Sequence, residues 1–150
     1  MKKRFIIHSL FLGYIFLMIW LLFLQRLPYI SYEEYANKLS ENINLIPFKT
    51  IIEYLFTDKD SSSAILQHAF INLAGNIVMF IPLGFFLPLI KESCIKFRKT
   101  ILLTLAIICA VELIQLFTLA GSLDIDDLIL NTIGSATGYL IQNIIFKNKH

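Results

Sequence analysis

Four apolar stretches, each near the length of a membrane-crossing helix, dominate this chain. A helix needs about 20 mostly apolar residues to cross the hydrocarbon core of a bilayer. Residues 5–24 qualify, interrupted only by His8 and Ser9. Residues 69–90 and 100–120 also qualify, the latter containing Glu112. Residues 127–146 complete the set and are the most polar, carrying Asn131, Thr132, Gln142 and Asn143. The pattern predicts an all-α integral membrane protein, one domain over residues 1–150 built as a bundle of about four transmembrane helices. Composition agrees, because only 16% of the residues are charged where a soluble domain carries about 25%. The net charge of +2 is small, and the basic residues flank apolar runs. They form no phosphate-binding stripe, which argues against nucleic acid as a partner.

The first stretch follows Lys2, Lys3 and Arg4, as a signal peptide would. Its apolar run exceeds the usual core of about 7–15 residues. Gln25-Arg26-Leu27-Pro28 then offers no small-x-small cleavage site. It is read as an uncleaved anchor. Lys and Arg in short loops set orientation. They concentrate at the N-terminus, at Lys91, Lys96, Arg98 and Lys99, and at Lys147 and Lys149. The loop between the third and fourth spans has none and is acidic. A multi-pass protein of the cell membrane is expected, with both termini cytoplasmic and two loops outside.

The first outer loop, residues 26–68, is too long to be an idle connection. Ser31 and Glu34 are spaced as a capping box, predicting a short helix to about Leu39. Pro47 suits the first turn of another helix. Phe48, Ile51, Ile52, Leu55 and Phe56 then make one apolar stripe at helical spacing, with Lys49 and Glu53 paired off it. This short amphipathic helix is expected either in the membrane interface or packed on the outer end of the bundle. Residues 58–63 are polar and read as a mobile connection. Cys94 and Cys109 are separated by roughly 22 Å along one helix, too far for a disulfide. Both are read as free thiols.

Polar residues within the spans recur on helix faces. Asn72 and Asn76 are separated by i+4, Glu112 and Gln115 by i+3, and Asp124, Asp127 and Asn131 by i+3 and i+4. With the orientation above, all lie in the outer half of their spans. These seven residues are the candidate ligand-binding set, and Glu112, Asp124 and Asp127 are the candidate acids for any catalysis. An intramembrane carboxylate costs about 2.5–3.5 kcal/mol on insertion scales. Glu112 must therefore face the bundle, be protonated, or meet a partner. No Lys or Arg lies within a span to pair with it. The structural alternatives are that the asparagines are interhelix glue and that Asp124 caps the fourth helix. Gly134 and Gly138 form a small-xxx-small step that close packing explains. Pro82, Gly84 and Pro88 are expected to kink or loosen the second span. His8, His68 and His150 lack spaced partner ligands and are read as uninvolved.

Five motifs in order resemble the VanZ-like family. They are Asn44-Leu45-Ile46-Pro47-Phe48, Asn72-Leu73-Ala74-Gly75-Asn76, Phe80-Ile81-Pro82-Leu83-Gly84, Glu112-Leu113-Ile114-Gln115, and the run from Asp124 to Gly134. The resemblance covers about residues 5 to 146. It implies a small bacterial envelope protein linked to teicoplanin or other glycopeptide resistance, and supplies no mechanism. One departure stands out. Many members carry an Arg shortly before the first Asp of the acidic motif, whereas Leu119-Ala120-Gly121-Ser122-Leu123 contains none. Without that Arg the site is more negative and suited to a cation.

Three functions stay open. A non-enzymatic envelope protein would use its outward polar pocket to bind a membrane lipid or a lipid-linked envelope molecule. A membrane enzyme would act on a lipid headgroup, with the carboxylates as acid and base or as ligands of a divalent cation. A small transporter or proton-coupled carrier would need a homo-oligomer to compensate for its short chain and lack of repeats.

Overall fold

The computed structural model describes residues 2–28, 32–56 and 63–146. Six α-helices account for most of them: α1 (Lys2–Ile19), α2 (Tyr32–Glu41), α3 (Lys49–Leu55), α4 (Ser63–Ile90), α5 (Phe97–Thr118) and α6 (Ile125–Phe146). A π-helical segment, Trp20–Leu24, prolongs α1, and a 3-10 turn, Glu92–Ile95, joins α4 to α5. Among the described residues three helical stretches are long and apolar enough to cross a membrane: Lys2–Leu24, Phe70–Ile90 and Phe97–Thr118. α6 matches them in length but falls outside that set among the described residues, because Asp126, Asp127, Asn131, Gln142 and Asn143 dilute its apolar run.

α4 and α6 form the most extensive contact in the molecule. Glycine makes it possible. A Cβ added to Gly134 would overlap the carbonyl of Ile77, one on Gly138 the carbonyl of Ile81, and one on Gly84 the carbonyl of Ser135. Backbone therefore lies directly on backbone, as small-residue interfaces permit in membranes. The small-xxx-small reading of Gly134 and Gly138 is borne out. α4 remains helical through Pro82 and Pro88, and Gly84 serves close approach, where a loosened helix was expected. The pairs Ile77–Gly134 and Ile81–Gly138 run in the same chain direction, so α4 and α6 are parallel.

α5 is antiparallel to α6, since Glu112 meets Asp124 and Thr104 meets Ser135, the latter hydroxyls 2.8 Å apart. α1 is antiparallel to α4: Tyr14 donates its hydroxyl to the Met79 carbonyl at 2.9 Å, and Phe11 packs on Phe86. Met18, Leu22, Phe80, Leu83, Leu87 and Ile108 form the buried core.

The outer segment differs from expectation in two respects. Residues Ile43–Asn44 form a strand, β1, which pairs in parallel with β2 (Leu123–Asp124) in the loop before α6. No alternating pattern announces so short a pair. α3 begins at Lys49 after a cap residue, Phe48, in the left-handed region at φ 64°. Pro47 thus precedes the helix and is not in its first turn. Ser31 of the expected capping box and the polar residues 58–62 lie outside the described residues. Cys94 is buried and Cys109 exposed, and both are free thiols, as read from their spacing.

Candidate functional site

At one end of the bundle the acidic residues opening α6 meet three other elements. α6 starts at Ile125, so Asp124 is its N-cap, and its Oδ1 accepts the Asp126 N–H at 2.8 Å. That satisfies one of the free donors of the first turn, and the capping alternative for Asp124 is realised. Its other oxygen, Oδ2, accepts from the Thr50 hydroxyl at 2.6 Å and from Asn44 Nδ2 at 3.2 Å. Its backbone N–H reaches Glu112 Oε2 at 3.4 Å. One residue thus ties β1, α3, α5 and α6 together.

Asp126 is fully buried, with no exposed surface. Its carboxylate accepts the Phe48 N–H at 2.5 Å and the Ile51 N–H at 3.1 Å. It therefore caps α3 across space, and holds Phe48 in a backbone region that bulky residues seldom adopt. Asp126 is absent from the seven residues picked out by face periodicity. Its position within the acidic run was visible, but its partner lies 78 residues away in sequence.

Asp127 turns towards α4 and accepts a hydrogen bond from Asn76 Nδ2. Glu112, Asp124 and Asp127 are near enough to act on one another electrostatically. Glu112 is 3% exposed, so it faces the bundle and not lipid. Four of the seven residues, Asn76, Glu112, Asp124 and Asp127, therefore gather at one place. Asn131 lies one turn further along α6, buried, and its Oδ1 lacks a hydrogen-bond partner among the described residues. Asn72 donates to the Tyr54 hydroxyl at 3.1 Å and so links α4 to α3. Gln115 donates to the carbonyl of Leu22 at 3.1 Å, within the π-helical segment.

Sequence reasoning found no basic partner for the acids within any span. Arg26, just beyond the π-helical segment, is close enough to act on both Glu112 and Asp127. Among the described residues no group of three or more His, Cys, Asp or Glu is disposed to hold a metal ion.

Beside these acids is a recess of about 220 Å³ lined by Leu45, Cys109, Leu113 and Leu123 together with the apolar parts of Glu112 and Asp124, so that its exposed surface is wholly apolar. A second recess of about 160 Å³ lies between α1, α4 and α5, lined by Tyr14, Met18, Phe80, Leu83 and other apolar residues. The first adjoins buried carboxylates. The second is part of the apolar core.

The family model for VanZ/LLP1 matches residues 11–146, nearly the whole chain, and the chain belongs to that family. No curated protein and no solved structure matches it.

Proposed function

We propose, from membership of the VanZ/LLP1 family, that this chain is a four-pass cell-envelope membrane protein whose outward polar pocket binds a lipid-linked envelope molecule. In this reading α1, α4, α5 and α6 cross the bilayer as one domain, with both termini cytoplasmic. Three apolar helices fit a membrane protein of the family. The alternating directions of α1, α4 and α5 support the fourth crossing, with α6 parallel to α4. At about 1.5 Å per residue the 22 residues of α6 extend for about 33 Å, enough for a core of about 30 Å. Exposed Phe48, Ile52 and Phe56 on and beside α3 suit contact with the outer leaflet.

The observation that carries the reading is the gathering of Glu112 from α5 and Asp127 from α6 around Asp124, at the edge of an apolar recess that Glu112 and Asp124 help to line. The hydrogen-bond partners of Asp127 and Glu112 are an amide and a backbone N–H, not a basic side chain. Carboxylates so placed are costly in a membrane and are expected to serve a ligand. A ligand with a donor-rich head would meet the acids. The family's link to teicoplanin makes a lipoglycopeptide, or a wall precursor it mimics, the leading ligand class. The divalent-cation reading lacks a donor set among the described residues.

The test is glycopeptide susceptibility, with membrane abundance measured alongside, in a sensitive host expressing the native chain, Glu112→Gln or Asp127→Asn. Glu112→Gln keeps the shape and removes a buried ionisable group, so abundance should hold. Resistance conferred by the native chain and lost in both variants at equal abundance is the expected result. Equal resistance from all three would make the carboxylates structural. No resistance from the native chain would remove the teicoplanin link.

A further inference from the structure

The depth of residues 43–52 follows from their partners. α5 ends at Thr118, where Leu119 caps it in the left-handed region. Glu112 lies six residues earlier, about 9 Å back along the helix axis. Because the Asp124 N–H bonds to Glu112, the chain has turned at Leu119 and descended to that level before α6 begins. β1 pairs with β2, so Ile43 and Asn44 lie at the same level. Leu45 lines a recess with Cys109, nine residues before Thr118 and about 14 Å from the end of α5. With α5 crossing a core about 30 Å thick, this places the segment well inside the half of the bilayer at the C-terminal end of α5.

The chemistry of the segment fits that depth. Irregular backbone in hydrocarbon needs internal partners for its polar groups. Here Asp126 takes two N–H groups, Asp124 takes the polar side chains of Asn44 and Thr50, and the strand pair satisfies more. Most of the exposed side chains are apolar, Leu45 and Ile46 at 62%, Phe48 at 53% and Ile52 at 51%; the exposed charge in the segment, Lys49, has the long stem that lets an ammonium reach the interface from hydrocarbon depth. Such a run is an unfavourable surface in water and an ordinary one against lipid.

We propose that residues 43–52 form a re-entrant element, and that the recess between them and α5 is a side-opening slot for one phospholipid acyl chain. The rim residues Leu45, Cys109 and Leu113 are exposed and lie at hydrocarbon depth, so the slot opens to lipid. Its volume of about 220 Å³ is below the roughly 300–1,000 Å³ of pockets that enclose a whole small molecule. It therefore takes a segment of a molecule whose remainder lies in the bilayer. This inference rests on the crossing of the bilayer by α5 proposed above, and not on the ligand of the acidic site.

Two measurements on the full chain in phosphatidylcholine test it. In a Trp20→Phe background, Ile46→Trp places a reporter on the segment and outside the slot. Phosphatidylcholine brominated along its acyl chains should quench it, and aqueous iodide should not. Native mass spectrometry of chain extracted from these vesicles should show one retained phosphatidylcholine. Its occupancy should fall at least tenfold in Cys109→Trp, and in Leu113→Trp on the same recess, and persist in Phe16→Trp on exposed α1. Both plugging positions are exposed, so neither crowds the core. Quenching by iodide alone would overturn the re-entrant path. Equal lipid retention in the native chain and whichever plugged variant folds would overturn the slot. Neither measurement reads resistance, so failure here and failure of the proposed ligand are separable.

Discussion

Replacing Asp126 by Asn should detach the segment around α3 while leaving the helix bundle intact. The carboxylate makes two bonds to backbone N–H groups, at 2.5 and 3.1 Å, from a fully buried position. Asn keeps one acceptor oxygen and turns an NH₂ group towards the second N–H. One hydrogen bond to a charged group is lost, worth about 1.5–3 kcal/mol, and a buried donor is left without a partner. Removing an ion from a buried position offsets part of this, so the net loss is about 1–3 kcal/mol. Each 1.4 kcal/mol is a tenfold change in an equilibrium. The segment should therefore open roughly fivefold to a hundredfold more often. Amide hydrogen exchange in detergent reads this directly. Protection at Phe48 and Ile51 should fall by that factor, while Ile81 and Gly138 in the α4–α6 contact keep theirs, because local opening need not involve the core. Unchanged protection at Phe48 and Ile51 would show that the latch carries no weight. An equal fall at Ile81 and Gly138 would show that Asp126 holds the whole fold.

Gly134→Ala and Gly138→Ala should each cost about 1–3 kcal/mol, since the new methyl meets backbone that cannot move aside. Gly13→Ala and Gly75→Ala, with nothing within 4 Å of the added atom, should be neutral or stabilising by up to about 1 kcal/mol; thermal unfolding in detergent checks all four. Gln115→Leu should lower stability by about 1–2 kcal/mol by removing the donor to the Leu22 carbonyl, yet leave glycopeptide susceptibility as in the native chain. Loss of resistance at equal abundance would return Gln115 to the site. For orientation, the buried Cys94 is a poor reporter, and exposed Ser93 replaces it. In a chain with Cys94→Ser and Cys109→Ser, Ser122→Cys should react with an impermeant thiol reagent in intact cells and Ser93→Cys should not. The reverse pattern would place the acidic end in the cytoplasm.

The sequence by itself determined where the long helices lie and which faces carry polar groups. The reason is local: an apolar run of about 20 residues favours lipid whatever surrounds it, and residues three or four apart share a face of any helix. Asn76, Glu112 and Asp127 were visible on those grounds, and so was the small-residue step at Gly134 and Gly138. Only the tertiary structure decided what each polar group does. Asp124, Asp126 and Asp127 stand almost side by side in sequence, but at the start of a helix successive residues point about 100° apart. They reach different neighbours: Asn44 and Thr50, the N–H groups of Phe48 and Ile51, and Asn76. Gln115 shares a face with Glu112 yet bonds to Leu22, because α1 and not α6 lies on that side. Face periodicity says that a group points inward. Which partner waits there depends on contacts between residues as much as 93 positions apart, and no local pattern encodes them.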